Sequence, residues 1–330
     1  MKKQMSIALT LVMLVAFSAC SSGSPSTPTG NDLRQINVIL DYLVNTNHTG
    51  LFVAKELGYF ADEGLDVNII EPADGVTPSL IAAGRGHFGV SYQEDLTFAR
   101  ASADPLPIKA VATIIQHNTS GFASHASKGI TSVKDFEGKT YAGWGSPAEE
   151  AILNVAMRAQ GADFSKLTFI TSDASGYFGL EDRFDLIWIF EAWDAVAAEL
   201  DGVPLNYIEL RTVDERLDFY TPILIAHEDT LKNDPDLVRS FLRAASKGYN
   251  YAIEHPQEAA EILYRYAPAY SLEMLTRSQN FLALKYAEDA PYWGHMKTEV
   301  WENYTGFMLD TGLIDRNVLA SECFTNEYLS

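Results

Sequence analysis

The sequence predicts an α/β protein of two lobes, and two observations carry that prediction. From Gln35 onward, short apolar runs alternate with amphipathic stretches of helical length, the pattern of βαβ units and mostly parallel sheets. The 330 residues exceed what one hydrophobic core commonly organises. The most economical arrangement has the first and last parts of the chain building one lobe and the middle the other. The chain then crosses between them twice, near residues 116 and 221.

The elements follow in order. Ile36–Leu40 reads as a strand and Thr49–Phe60 as a helix. Asp66–Ile70 is a second strand, followed by a helix over about Val76–Ala83. The run HFGV, a helix from near Gln93 and the strand Pro107–Ile115 complete the first part. In the second part, a strand is expected around Gly121–His125 and another at Thr140–Ala142, leading into a helix from Ser146 to Gln160. Strands LTFI, DLIWIF and Pro204–Leu210 close it. After Tyr220 the run Pro222–His227 is again a strand. The remainder is helical in period, with starts at Pro235, Pro256, Ser271 and Met296. No repeat of 20–50 residues is present, which excludes a solenoid.

Residues 1–19 read as a targeting segment: Lys2 and Lys3, an apolar run from Ile7 to Phe17, then Ser18-Ala19 before Cys20. Ser21–Asn31 offers small and turn-forming residues and reads as a flexible tether. The expected organisation is therefore 1–19 signal, 20–34 cysteine and tether, 35–116 plus 222–330 first lobe, and 117–221 second lobe.

Composition excludes several classes. Asp and Glu number 44 against 24 Lys and Arg, a formal charge of −20 that repels phosphate backbones, so no nucleic-acid partner is expected. Without residues 1–19 the balance is 22 basic to 44 acidic residues. Two cysteines cannot build a disulfide framework, a zinc ribbon or an iron–sulfur site. HExxH, GxSxG and clustered Cys and His are all missing, so neither a metal nor a cofactor is expected.

Ligands of open α/β sheets sit beyond the carboxyl ends of strands, here facing the cleft between lobes. After the first strand, Asn45, Thr46, Asn47, His48 and Thr49 present five polar groups where a helix cap needs one. Asn45, Asn47 and His48 are therefore ligand candidates. Tyr92 and Gln93 stand at the next strand end, while Glu94 and Asp95 are accounted for by the helix dipole. Gln116–Phe122 lies at the first crossover and offers Asn118, as a hinge or a ligand contact. In GWGSP, Gly143 and Gly145 allow close backbone approach, Ser146 caps a helix and Trp144 offers a ring face. Gly145, Ser146, Trp144, Tyr177, Trp193 and Tyr220 join the candidates. Glu191, directly after an apolar strand, would accept N–H donors. The cleft so read is polar, aromatic and nearly uncharged.

The string AFSAC resembles the lipobox of bacterial lipoproteins, which implies a lipidated Cys20 and leaves Cys323 without a partner. From about Ile36 to Leu313, the stretches NTNHTGLFVAKELGYFADEGLDV, IIQHNTSGFAS, GWGSPAEEAI and DPDLVRSFLRA resemble substrate-binding lipoproteins of ABC importers in the group related to thiamine-pyrimidine synthase. The resemblance implies a type II periplasmic-binding fold, two α/β lobes joined by a two-strand hinge with the ligand between them. It implies a heteroaromatic vitamin as ligand, and as partners an ABC permease with its cytoplasmic ATPase. It also implies a monomer, anchored on the outer face of the cell membrane. Matching the synthase branch places its cofactor lysine on Ser91, its sacrificial histidine on Asp95 and its cysteine motif on Leu217–Thr221, which has no cysteine. Its phosphate loop falls near Gly143–Ser146, and the pyrimidine-contacting glutamate of the group matches Glu191. An enzyme is therefore not expected. Riboflavin is preferred as ligand, with the formylaminopyrimidine precursor of thiamine as the alternative.

Overall fold

The computed structural model describes residues 33–72, 76–171 and 183–329. Its strands are β1 (Arg34–Ile39), β2 (Leu65–Ile70), β3 (Phe88–Ser91), β4 (Ile108–Thr113), β5 (Ser120–His125), β6 (Thr140–Gly143), β7 (Thr168–Thr171), β8 (Leu186–Phe190), β9 (Leu205–Glu209) and β10 (Ile223–His227). Its helices are α1 (Thr49–Glu56), α2 (Tyr59–Asp62), α3 (Thr77–Ala82), α4 (Gln93–Ala101), α5 (Pro147–Ala159), α6 (Val196–Leu200), α7 (Leu210–Val213), α8 (Glu228–Asn233), α9 (Pro235–Glu254), α10 (Pro256–Tyr264), α11 (Leu272–Ala283), α12 (Thr298–Asp310) and α13 (Ala320–Cys323).

Two five-stranded sheets organise the chain, ordered β2-β1-β3-β10-β4 and β7-β6-β8-β5-β9. Parallel pairing of β1 with β2 and β3, and of β6 with β7 and β8, follows from the βα alternation. Each sheet also takes in a strand entering from a crossover. β10 runs antiparallel to β3 and β4, and β5 antiparallel to β8 and β9. The α/β, two-lobed architecture expected from the sequence is what the chain adopts.

Central strands read as continuous apolar runs because both faces are covered. All four residues of β3 are buried, and in β1 Ile36 and Val38 enter one core while Ile39 enters the other. On the first face α9 presents Leu237, Val238, Phe241, Leu242, Ala245, Tyr249 and Ala252 at helical spacing. It crosses α1 closely: a Cβ on Gly248 would overlap the Gly50 carbonyl, and one on Gly50 would overlap the Tyr249 ring. In the second lobe Phe122, Tyr141, Ile152, Leu153 and Trp188 form one core, and Ala123, Ala142, Ile187 and Ile189 the other. The stretch expected as one helix, Thr49–Phe60, is two, parted at Gly58 with φ 77°.

One boundary is corrected. Residues 222–330, expected wholly in the first lobe, include α12, which spans the junction. Trp301 packs with Tyr220 and Phe324 in the first lobe, whereas Tyr304, Phe307 and Met308, with Ile314 beyond, join the core of the second. A 13-residue helix is about 20 Å long, enough for one apolar stripe to serve both cores.

Candidate ligand-binding cleft

The end of β1 carries Asp41, which sequence reasoning passed over. One carboxylate oxygen meets His48 Nε2 at 2.7 Å and the other accepts the Tyr92 hydroxyl at 2.6 Å. His48 is fully buried, and its Nδ1 accepts the Asn45 backbone N–H, so Nε2 carries the proton donated to Asp41. Burial raises the Asp41 carboxyl, but its electrostatic contact with His48 and the hydrogen bonds it accepts from His48 and Tyr92 outweigh it, and the net position is below the usual carboxylate range. Asn45 caps the 3₁₀ turn Thr46–His48 by accepting Asn47 N–H at 2.9 Å. Asn47 is half-buried, and its side chain makes no hydrogen bond among the described residues.

The end of β3 divides into two roles. Tyr92 is half-buried and bonded to Asp41. Gln93 is fully buried and clamped: Oε1 accepts Tyr220 N–H at 2.8 Å and Nε2 donates to the Val300 carbonyl at 3.2 Å. Gln93 thus ties α4 to the second crossover and is withdrawn from the ligand set. Glu94 and Asp95 are more than dipole partners. Burial pushes the Glu94 carboxyl up to about 7 against the hydrogen bond from Tyr304, with the charges of Asp95 and of Glu149 from the other lobe adding to the rise. Burial and the charge of Asp41 push Asp95 up to about 6. Asp95 makes no side-chain hydrogen bond or ion pair among the described residues. The nearly uncharged cleft expected from the sequence is corrected here: several carboxyls share it.

Across the cleft, the turn after β6 is built as its sequence implies. Gly145 has φ +83°, and Ser146 caps α5 by accepting Ala148 N–H and donating its own N–H to Glu149 Oε2 at 2.8 Å. Trp144 is 48% exposed, its ring 5.3 Å from that of Trp188. The Trp188 indole N–H is buried and has no hydrogen-bond partner among the described residues.

Glu191 begins a single π-helical turn, Glu191–Ala195, at the end of β8. Its carboxylate is half-buried and accepts no hydrogen bond from the described residues. Burial and the charge of Glu209 raise it, opposed by Lys285 of the first lobe and by Arg211. Trp193 turns to the first lobe and meets Tyr270 edge-on at 4.7 Å, a contact between lobes in place of the expected stacking face.

The crossovers claim the remaining candidates. Asn118 is fully buried, its amide donating to the Leu217 carbonyl and its Oδ1 accepting from Ser120, so it joins the two crossovers rather than facing a ligand. Tyr220 is 1% exposed and its hydroxyl accepts Lys297 N–H at 2.8 Å. These two are corrected as structural, because each polar group is spent on the backbone around it. Tyr177 and Cys20 lie outside the described residues. Cys323 is buried, which pushes its thiol up to about 12. Among the described residues no group of three or more His, Cys, Asp and Glu could hold a metal ion.

This cleft arrangement accompanies a family match over residues 45–259, to the model described as NMT1/THI5 like. The chain belongs to the NMT1/THI5-like family. A relative from Halalkalibacterium halodurans, the formylaminopyrimidine-binding protein, is 27% identical over 98% of this chain and 99% of its own. The riboflavin-binding protein RibY of Chloroflexus aurantiacus is 23% identical over 100% and 99%. The 4-amino-5-hydroxymethyl-2-methylpyrimidine phosphate synthase of Legionella pneumophila is 25% identical over 89% and 92%. Among solved structures, the periplasmic nitrate-binding protein NrtA of Synechocystis superposes with a TM-score of 0.69 at 14% identity, covering 90% of this chain and 87% of that one. The NMT1/THI5-like chain therefore has the periplasmic-binding-protein fold.

Proposed function

We propose that this NMT1/THI5-like protein is the substrate-binding component of an ABC importer, capturing a heteroaromatic vitamin precursor of the formylaminopyrimidine kind for a membrane permease. One observation carries the ligand class: Asp95 and Glu191, from opposite lobes, are partly buried carboxyls with raised pKa values and no hydrogen-bond partner among the described residues. A carboxylate so placed can accept an exocyclic N–H, and a carboxyl raised by burial that has taken up its proton can donate to a ring nitrogen. The amino edge of a 4-aminopyrimidine presents that pair. Trp144 supplies an exposed ring face for stacking.

Riboflavin is the second reading, favoured by the exposed Trp144 and the polar Asn45–Thr49 stretch. The carboxyls place it second, because the flavin dione edge would set carbonyl oxygens against them. The protein is read as a binder that returns its ligand unchanged. Ser91, Asp95 and Leu217–Thr221 hold no lysine, histidine or cysteine at the positions the synthase resemblance points to. Mass spectrometry tests this: pyrimidine added to the purified protein and recovered after denaturation keeps its mass, and the protein keeps all seven histidines. A consumed histidine or an altered ligand overturns it. Lipidation at Cys20 would hold the protein at the outer face of the cell membrane; Cys20→Ser then shifts it to the soluble fraction, and unchanged membrane association contradicts the anchor.

A further inference from the structure

The loop from Gly143 to Ser146 assembles donors of the kind that hold a tetrahedral oxyanion. The backbone N–H groups of Trp144 and Ser146 and the Tyr141 hydroxyl converge ahead of the 13-residue helix α5. Helix starts of this form bind phosphate readily. Here the position is filled from within. Glu149, 2% exposed, takes the Tyr141 hydroxyl at 2.5 Å and Trp144 N–H at 3.3 Å on Oε1, and Ser146 N–H at 2.8 Å on Oε2.

An ordinary capping box accounts for the Ser146 bond alone. The other two go beyond it and draw the carboxylate into the loop. Gly143 is fitted to that carboxylate, since a Cβ there would overlap Oε1. The charge also reaches the far side of the cleft, where it adds to the rise of Glu94.

Resting on the aminopyrimidine reading above, we infer that Glu149 sets which form of the ligand enters: it admits the free heterocycle and rejects its phosphate ester. A phosphate monoester carries about −1.5 to −2 charges near neutrality. It would find its donors taken and carboxylates of both lobes opposite it. The distinction is chemically pertinent because one relative is named for a pyrimidine phosphate. Through the Trp144 N–H, Glu149 also positions the exposed ring.

The test titrates the full protein with 4-amino-5-hydroxymethyl-2-methylpyrimidine, its phosphate ester and inorganic phosphate, by calorimetry. Parent, Glu149→Ala and Glu149→Gln are compared, each checked for a cooperative thermal transition. The parent prefers the free pyrimidine by about 100-fold or more and gives no heat with inorganic phosphate. In Glu149→Ala that preference falls by about tenfold or more and inorganic phosphate binds in the millimolar range. Glu149→Gln, which removes the charge and keeps the shape, shows a smaller fall in preference. A parent that binds both forms equally, or a folded Glu149→Ala with the parent preference and no phosphate binding, overturns the inference. If Glu149→Ala does not fold, an unchanged preference in Glu149→Gln overturns it. If no variant binds either pyrimidine, the ligand reading fails; phosphate binding gained only by Glu149→Ala then still supports Glu149 as the occupant of the oxyanion position.

Discussion

Asp41 shows how a single residue can organise the site without any local signature. Its partners stand seven and 51 positions away in sequence, and only the return of β3 beside β1 brings Tyr92 to it. The buried carboxylate fixes both side chains, so Asp41→Asn should lower stability by about 1–3 kcal/mol in chemical denaturation. A loss near zero would show that His48 and Tyr92 hold their places unaided. Glu191 has the opposite character, since its carboxylate makes no hydrogen bond or ion pair among the described residues. It was legible because a carboxylate directly after an apolar strand lies at a sheet's ligand-facing end. Glu191→Gln should leave the melting temperature nearly unchanged and weaken a pyrimidine by about 10- to 100-fold. Equal affinities would remove Glu191 from the ligand.

At the scale of elements, strands and longer helices were legible because their period matches their burial. α5 begins as S-P-x-E implies, and α9 and α10 begin at their prolines. Crossover residues were less legible. Gln93, Asn118 and Tyr220 look like cleft polar groups in sequence, but each bonds backbone more than 70 residues away. His117 belongs with them. Its Nδ1 meets Asp218 at 2.6 Å and its Nε2 meets Asp289 at 3.0 Å, while Lys297 pairs with Asp289 at 2.8 Å. Two carboxylates require a donor on each ring nitrogen, which is the imidazolium. The hydrogen bond to Asp218, opposed by burial and reinforced by both acid charges, holds its pKa above the ordinary 6.5. The imidazolium's stabilisation is therefore full below about pH 6.5 and lost as pH rises through the raised value. The stability gap between parent and His117→Gln should be larger at pH 6 than at pH 9. A gap independent of pH, or growing toward pH 9, would contradict this arrangement.

For the whole molecule, the two sheets present the carboxyl ends of β1, β3, β6 and β8 to one another, and several contacts draw the lobes together. Trp193 packs against Tyr270, Arg277 of α11 pairs with Glu199 of α6 at 2.9 Å, and α12 runs from one core into the other. Under the proposed importer role, such contacts would form as the lobes close on a ligand that favours the closed form. The lobes and their crossing points could be reasoned from element order. The acidity of the cleft could not, because helix starts routinely carry Glu and Asp, and only the fold shows Glu94, Asp95 and Glu149 buried toward one another. In the proposed role, this acidic, aromatic cleft selects an N–H-bearing aminopyrimidine. Calorimetric titration of the purified protein with formylaminopyrimidine and with riboflavin tests it most directly. Saturable one-to-one binding of the pyrimidine, tighter than that of the flavin by at least about tenfold, is the predicted result; tight riboflavin binding with no response to the pyrimidine would contradict it.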